Sequence, residues 1–272
     1  MEYKLMAVDM DGTILNSAKK ISAAVRAAVD EATRRGKIVA YSTGRGTDEV
    51  AEHFAECPNI RYVNGECGTL IFDAATNKII ARCVMPEAGF RQVIDLLAGG
   101  DYMSKVYIKG SAYADKSKMH DIDRYQMHHV RTMHIAIPTA DYLDFLRANI
   151  GNTEKMVIYA KSEAEKAELK KILPTFGLTA VNASKTSVEV YGAAFNKATG
   201  LKLLCDYLQI DISEAIAIGD ADNDREVMGA AGLAIAMGNA EDSIKKIARH
   251  IVSDNNHDGV AEAIYKYLLG SV

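Results

Sequence analysis

The chain has 272 residues, 49% hydrophobic and 25% charged, which suits one large globular domain or two modest ones and excludes disordered or collagen-like chains. Lysine and arginine number 32 against 36 aspartate and glutamate, so the net charge of −4 offers no broad basic surface for nucleic acid. The Met1-Glu2-Tyr3-Lys4 start lacks a basic region leading into a long apolar one, and other apolar runs are shorter than a membrane span. The expectation is a cytoplasmic protein with neither a nucleic-acid nor a membrane partner; no feature specifies an oligomeric state.

The first ninety residues alternate strand and helix: an apolar run Leu5–Val8, a helix after Ser22, a second run Ile38–Tyr41, then another helix. Val25, Ala28, Val29 and Ala32 keep helical spacing, with Ser22 as N-cap and Gly36 as the stop; Thr47 is the expected cap of the next helix. From about Lys197 the rhythm returns, with a helix through Tyr207, a strand Ala215–Gly219, a helix after Asn223, a strand Leu233–Ala236, further helix, a short Ile251–Val252 strand and a C-terminal helix. Alternation of this kind predicts a parallel sheet.

Between about Met85 and Val190 the pattern changes, with β-like runs Val106–Ile108, Thr132–Ile137, Met156–Tyr159 and Ser187–Tyr191 around helices such as Ser162–Leu173. The expected organisation is a core of residues 1–84 and 191–272 interrupted by an inserted domain, 85–190. The insert has 14 basic and 13 acidic residues, leaving 18 and 23 in the core; that acidic excess suits a bound cation, or simply solvated surface. Cys57, Cys67, Cys83 and Cys205 are far apart without a C-x-x-C pair, so free thiols are expected. The His120, His128, His129, His134 cluster lacks carboxylates at a recognisable spacing, which favours surface or packing roles over a metal site.

Chemistry concentrates at strand ends. Asp9-Met10-Asp11-Gly12-Thr13 follows the first strand, where alternate residues of extended chain face one way and Gly12 permits a turn that exposes backbone N–H groups to an anion. Two close carboxylates repel, and a divalent cation can keep one ionised while the other stays protonated; an ordinary acidic turn is the plainer alternative. Gly219-Asp220-Ala221-Asp222-Asn223-Asp224 ends another strand with hard oxygen ligands suited to Mg²⁺. A calcium loop of EF-hand type fails there, because Arg225 occupies the glycine position and Ala231 that of the bidentate glutamate; helix capping by Asp222 or Asn223 can coexist with metal binding. At the end of the second strand the Thr43 hydroxyl and Gly44 N–H, followed by Arg45, can meet an anion. Lys197 stands at a helix start, where a cation is electrostatically misplaced unless an anion lies near; a plain turn and an exposed lysine are the alternatives.

Taken in order, Asp9-x-Asp11-Gly12-Thr13, Thr43-Gly44-Arg45, Lys197 and Gly219-Asp220-x-x-Asn223-Asp224 resemble the haloacid dehalogenase (HAD) superfamily, and within it the Cof-type phosphatases. Asn64-Gly65, Ala231-Gly232, Ala236-Met237-Gly238-Asn239-Ala240 and Asp258-Gly259-Val260 extend the resemblance through both core halves; Gly46-Thr47 and Asn255-Asn256-His257 depart modestly from the usual pattern. The resemblance implies an α/β protein: a Rossmann-like parallel-sheet core with an inserted C2-type (C2B) α/β cap. It also implies a Mg²⁺-dependent phosphatase of small phosphorylated metabolites such as sugar phosphates or phosphorylated cofactors. By that likeness Asp9 is the nucleophile, forming an aspartyl-phosphate, and Asp11 the acid and base. Lys197 and Thr43 hold the phosphoryl group, with Met10, Gly12, Gly44, Arg45 and Asn223 as further phosphate contacts. Asp9, the Asp11 carbonyl, Asp220 and Asp224 form the metal site. Tyr107, Lys109, Tyr113, Lys118 and His128 are cap candidates for specificity. A phosphomutase, or a phospho-ligand-binding protein without turnover, is the alternative; a dinucleotide oxidoreductase is disfavoured because no G-x-G-x-x-G follows the first strand.

Overall fold

The computed structural model describes residues 2–128 and 133–270. His129 and the first residue of the expected Thr132–Ile137 strand lie outside the described residues. The chain forms two compact units, Met1–Ala81 with Asn196–Val272, and Arg82–Phe195 between them.

The first unit is built on an eight-stranded sheet. Its order is His250–Ile251, Leu233–Ala236, Ala215–Gly219, Leu5–Val8, Ile38–Ser42, Tyr62–Gly65, Leu70–Asp73, Lys78–Arg82. Pairing is parallel from His250–Ile251 through Tyr62–Gly65, and Leu70–Asp73 returns antiparallel. Leu5–Val8 and Ala215–Gly219 are buried throughout, the signature of strands covered on both faces. Ser22 caps helix Ala23–Arg34 as its sequence predicts, its hydroxyl accepting from Val25 N–H at 3.1 Å, and Val25, Ala28, Val29 and Ala32 are buried. The chain leaves the central strand Leu5–Val8 toward one edge and returns to pair on its other side through Ala215–Gly219. That order reversal opens a crevice beyond the carboxyl ends of these two strands.

The inserted unit carries a six-stranded sheet in the order Leu178–Asn182, Ser187–Gly192, Lys155–Tyr159, Met103–Ile108, Ser111–Asp115, Ile137–Thr139. It is antiparallel except for the last pair. Helices Glu87–Gly99, Tyr142–Ala148 and Glu163–Ile172 supply side chains to its main apolar cluster, including Phe90, Leu146 and Leu169. No helix among the described residues is long and apolar enough to cross a membrane.

Three local expectations need correction. Gly46, not Thr47, is the N-cap of helix Thr47–Glu56, because the buried Glu49 carboxylate accepts from the Gly46 N–H at 3.0 Å. The segment expected as a strand to Ile137 contains a 3₁₀ turn at Met133–Ile135, with Ile137–Thr139 as the strand; burial recurs at Met133 and Ala136, three residues apart, rather than alternating. The last core strand is His250–Ile251, one residue earlier than expected.

Candidate active site

Asp9 follows directly on the first strand and remains in the ladder through its N–H, which donates to the Ile218 carbonyl at 3.1 Å. Asp9 is 6% exposed, its carboxylate accepts from Lys197 Nζ at 2.7 Å, and the same ammonium donates to Asp224 Oδ1 at 2.7 Å. Lys197 opens helix Lys197–Leu208, whose start is fixed by Asn196: its side-chain oxygen accepts from the Ala198 and Thr199 N–H groups. The cation at a helix start is therefore neutralised by two buried carboxylates. Burial opposes the charge on Lys197, but Asp224 and Asp9 outweigh it and raise the pKa. Burial, followed by the Asp224 charge, pushes the Asp9 carboxyl well up despite Lys197.

Asp220 and Asp224 come from the turn after Ala215–Gly219. Asp224 Oδ2 accepts from the N–H groups of Asp220 and Ala221 at 3.1 and 3.3 Å, bracing the turn from within. Asp220 accepts from the Thr13 hydroxyl at 2.7 Å, joining the two strand ends. A side chain at Gly12 has no room, since a Cβ there would lie 2.4 Å from Asp220 Oδ2, and the φ of +90° also favours glycine. Burial raises Asp220 to about 6, against the lowering bond from Thr13 and with the charge of Asp224 adding to the rise.

Carboxylate oxygens of Asp9, Asp220 and Asp224 lie within 4.8 Å of one another. Octahedral Mg²⁺ with bonds of about 2.1 Å separates trans ligands by about 4.2 Å, so a small contraction would make these hard oxygens a ligand set. The donor chemistry fits the ion, and a cation would relieve the repulsion from Asp224 that adds to burial in raising Asp9 and Asp220.

Asp11 takes different partners. Beyond the end of the strand, alternation no longer governs its direction. Its carboxylate accepts two bonds from Arg45, Nε to Oδ2 at 2.8 Å and Nη2 to Oδ1 at 2.9 Å, and a third from Lys19 Nζ at 2.7 Å. Burial works against the charge, but Arg45 and then Lys19 prevail and hold the carboxyl at about 2. Asp11 is thus the settled anion of the pair. Thr43 is buried, its N–H donating to the Asn64 carbonyl and its hydroxyl accepting from Arg45 N–H at 3.2 Å. Gly44 precedes Arg45 in the same bend. Met10 is fully buried in the core, so only its backbone can serve a ligand. Asn223 is exposed on the 3₁₀ turn Asp222–Asp224.

The structure therefore joins Asp9, Lys197, Asp220 and Asp224 in one cluster and pairs Asp11 with Arg45 beside it. Sequence reasoning passed over Lys19, for which spacing gives no signal, and assigned no separate role to Thr13 or Asn239. Thr13 is signalled by its place in the motif, and Asn239, whose amide donates to the Gly12 carbonyl at 2.8 Å, by its place after the Leu233–Ala236 strand.

A family model for haloacid dehalogenase-like hydrolases matches residues 6–264. The chain belongs to that family. It is an enzyme of the Cof-type branch, with the expected Rossmann-like core and inserted cap. Over 98% of this chain and the whole of the relative, it is 27% identical to phosphatase YwpJ of Bacillus subtilis. It is also 27% identical, over 99% of this chain and 97% of the relative, to the B. subtilis protein named 5-amino-6-(5-phospho-D-ribitylamino)uracil phosphatase YcsE. A crystal structure of a haloacid dehalogenase-like hydrolase from Bacteroides thetaiotaomicron superposes with a TM-score of 0.83 at 25% identity, covering 97% of this chain and 99% of that one. The expected enzyme class, a phosphatase of this superfamily, agrees with the names of these relatives.

Proposed function

We propose that this HAD enzyme is a Mg²⁺-dependent phosphatase that hydrolyses small phosphorylated metabolites, such as sugar phosphates or phosphorylated cofactors, through an aspartyl-phosphate. The observation that carries the reading is the buried cluster in which Lys197 joins Asp9 to Asp224 beside Asp220. Whole-length relatives named as phosphatases, one for a phosphorylated ribitylaminouracil, support the same class.

An Asp9 oxygen attacks phosphorus while the bond to the leaving oxygen breaks, and Asp11 gives that oxygen a proton. As a carboxylate, Asp11 then takes a proton from water, whose oxygen displaces Asp9 from phosphorus and frees inorganic phosphate. Mg²⁺ held by Asp9, Asp220, Asp224 and the Asp11 carbonyl would offset the charge of the phosphoryl group and of the surrounding carboxylates. Lys197, Thr43 and the backbone N–H groups of Met10, Gly12 and Gly44 hold the phosphoryl oxygens, with Asn223 at the rim, so that positioning and electrostatics lower the barrier. Arg45 has a second task in this scheme. An arriving phosphate dianion competes with Asp11 for its guanidinium, and Asp11, relieved of that partner, can carry the proton the leaving group needs.

The Arg82–Phe195 insert acts as the C2-type cap, with Lys109, Tyr113, Lys118 and His128 as residues that read the leaving group, whereas Tyr107 is buried in an apolar cluster of the insert. Four free thiols suit a reducing compartment, so we place the enzyme in the cytoplasm. Phosphate release from p-nitrophenyl phosphate with Mg²⁺, with EDTA, and by Asp9→Asn tests the reading. Mg²⁺-dependent release lost in a folded variant supports it; near-normal turnover by Asp9→Asn refutes the mechanism. An isomeric sugar phosphate without free phosphate would instead identify a mutase.

A further inference from the structure

Asn64 lies on strand Tyr62–Gly65, opposite Ser42 in the parallel ladder, and is fully buried. Its backbone carbonyl accepts the Thr43 N–H at 2.9 Å. Its side-chain amide donates to the Lys197 carbonyl at 2.8 Å and to the Ser42 hydroxyl at 3.2 Å. Because the Lys197 carbonyl can only accept, the amide orientation is determined by the bond itself. One residue thus grips, from its two ends, two of the positions that the proposed reading assigns to the phosphoryl group, Thr43 and Lys197, although they stand far apart in sequence.

Two features show that this contact is built in. Gly200 leaves room for it, since a Cβ there would lie 1.9 Å from Asn64 Oδ1. That oxygen is also buried without a hydrogen-bond donor among the described residues. A buried acceptor left unsatisfied costs stability, so folding alone would be better served by an apolar side chain. What the amide contributes is its donor, directed at the first carbonyl of the lysine-bearing helix.

The geometry points to Asn64 as a positioning residue that sets Lys197 Nζ against Asp9 in register with Thr43. This inference rests on the phosphatase reading for its catalytic consequence. Asn64 touches no reacting atom; it acts through the placement of the ammonium, where a displacement of about 1 Å is enough to cost about a hundredfold in rate.

Kinetics on p-nitrophenyl phosphate with Mg²⁺ test it. In Asn64→Ala, kcat should fall about 10- to 100-fold with KM within about threefold, because the loss falls on transition-state placement rather than uniform binding. Ser42→Ala, which keeps the bond to Lys197, should stay within about threefold of the parent. Added to Lys197→Met, Asn64→Ala should change the residual rate by less than about threefold, since the group it positions is gone. A kcat for Asn64→Ala close to the parent, or a loss that multiplies fully with that of Lys197→Met, overturns the inference. Should Asn64→Ala fail to fold, Asn64→Leu keeps the bulk without the donor and is read by the same criteria. If the parent hydrolyses no phosphate ester, the phosphatase reading fails by itself. A crystal structure of Asn64→Ala then decides the placement: Nζ displaced from Asp9 supports it, and Nζ unmoved overturns it.

Discussion

Arg45 holds Asp11 with two parallel bonds, Nε to Oδ2 at 2.8 Å and Nη2 to Oδ1 at 2.9 Å, the fork geometry in which a guanidinium fits a carboxylate best. With the bond from Lys19, this keeps the Asp11 carboxyl at about 2, below its unfolded range. A group depressed in this way adds stability above its unfolded pKa and loses it as pH falls toward the folded one. Arg45→Ala should therefore raise the Asp11 pKa toward about 4 and move the midpoint of acid unfolding to higher pH. Carbon-13 NMR titration of the Asp11 carboxyl and acid titration by circular dichroism read the two effects; an Asp11 pKa unchanged in the variant would show that the pair does not set it.

The opposite sign holds at Asp220, which burial raises to about 6. In the metal-free protein its contribution to stability is present below the unfolded pKa and is lost as pH rises through about 6. In the proposed reading Mg²⁺ competes with that proton, so the rise in melting temperature on adding Mg²⁺ should be small at pH 5 and grow as pH passes about 6. Melting curves with and without Mg²⁺ across this range check it, with equal shifts at both ends as the contrary result.

Thr13→Val keeps the shape of the side chain and removes the 2.7 Å bond to Asp220. Mg²⁺ affinity should fall about 10- to 100-fold, as is common when a metal ligand loses its orienting partner. Isothermal titration with Mg²⁺ measures the effect directly, while stability in urea should drop by only about 1 kcal/mol.

Asp224 serves two purposes, because one oxygen takes Lys197 and the other braces the turn through the Asp220 and Ala221 N–H groups. Asp224→Asn breaks a buried charge pair and weakens the brace, so it should destabilise the metal-free protein by about 3 kcal/mol. Asp9→Asn should cost less, because burial already disfavours the Asp9 charge and Lys197 keeps Asp224. Urea unfolding of both variants ranks them, and a larger loss for Asp9→Asn would reverse this account.

Local signals in the sequence were enough for the elements that carry the site. Leu5–Val8 and Ala215–Gly219 read as strands because central parallel strands are apolar on both faces, and helix Ala23–Arg34 showed both its cap and its buried stripe. The order of the motifs carried the resemblance to the superfamily: three follow strands whose carboxyl ends face the crevice, and Lys197 opens a helix. Partner choice was not legible in this way. Asp9 and Asp11 are two residues apart and look equivalent on the page, yet one is buried against Lys197 and Asp224 and the other is taken by Arg45 and Lys19. Lys19 apart, those partners come from segments brought together by strand pairing, and a charge's behaviour depends on what surrounds it in space. The sequence by itself determined the central strands, the Ser22 cap and the chemical inventory, because these follow from periodicity and short-range hydrogen bonding. Only the tertiary structure decided which carboxylate is held as an anion, which is pushed toward its proton, and which amide places the lysine, because each depends on side chains that meet in space, 34 residues apart for Asp11 and Arg45 and 188 for Asp9 and Lys197.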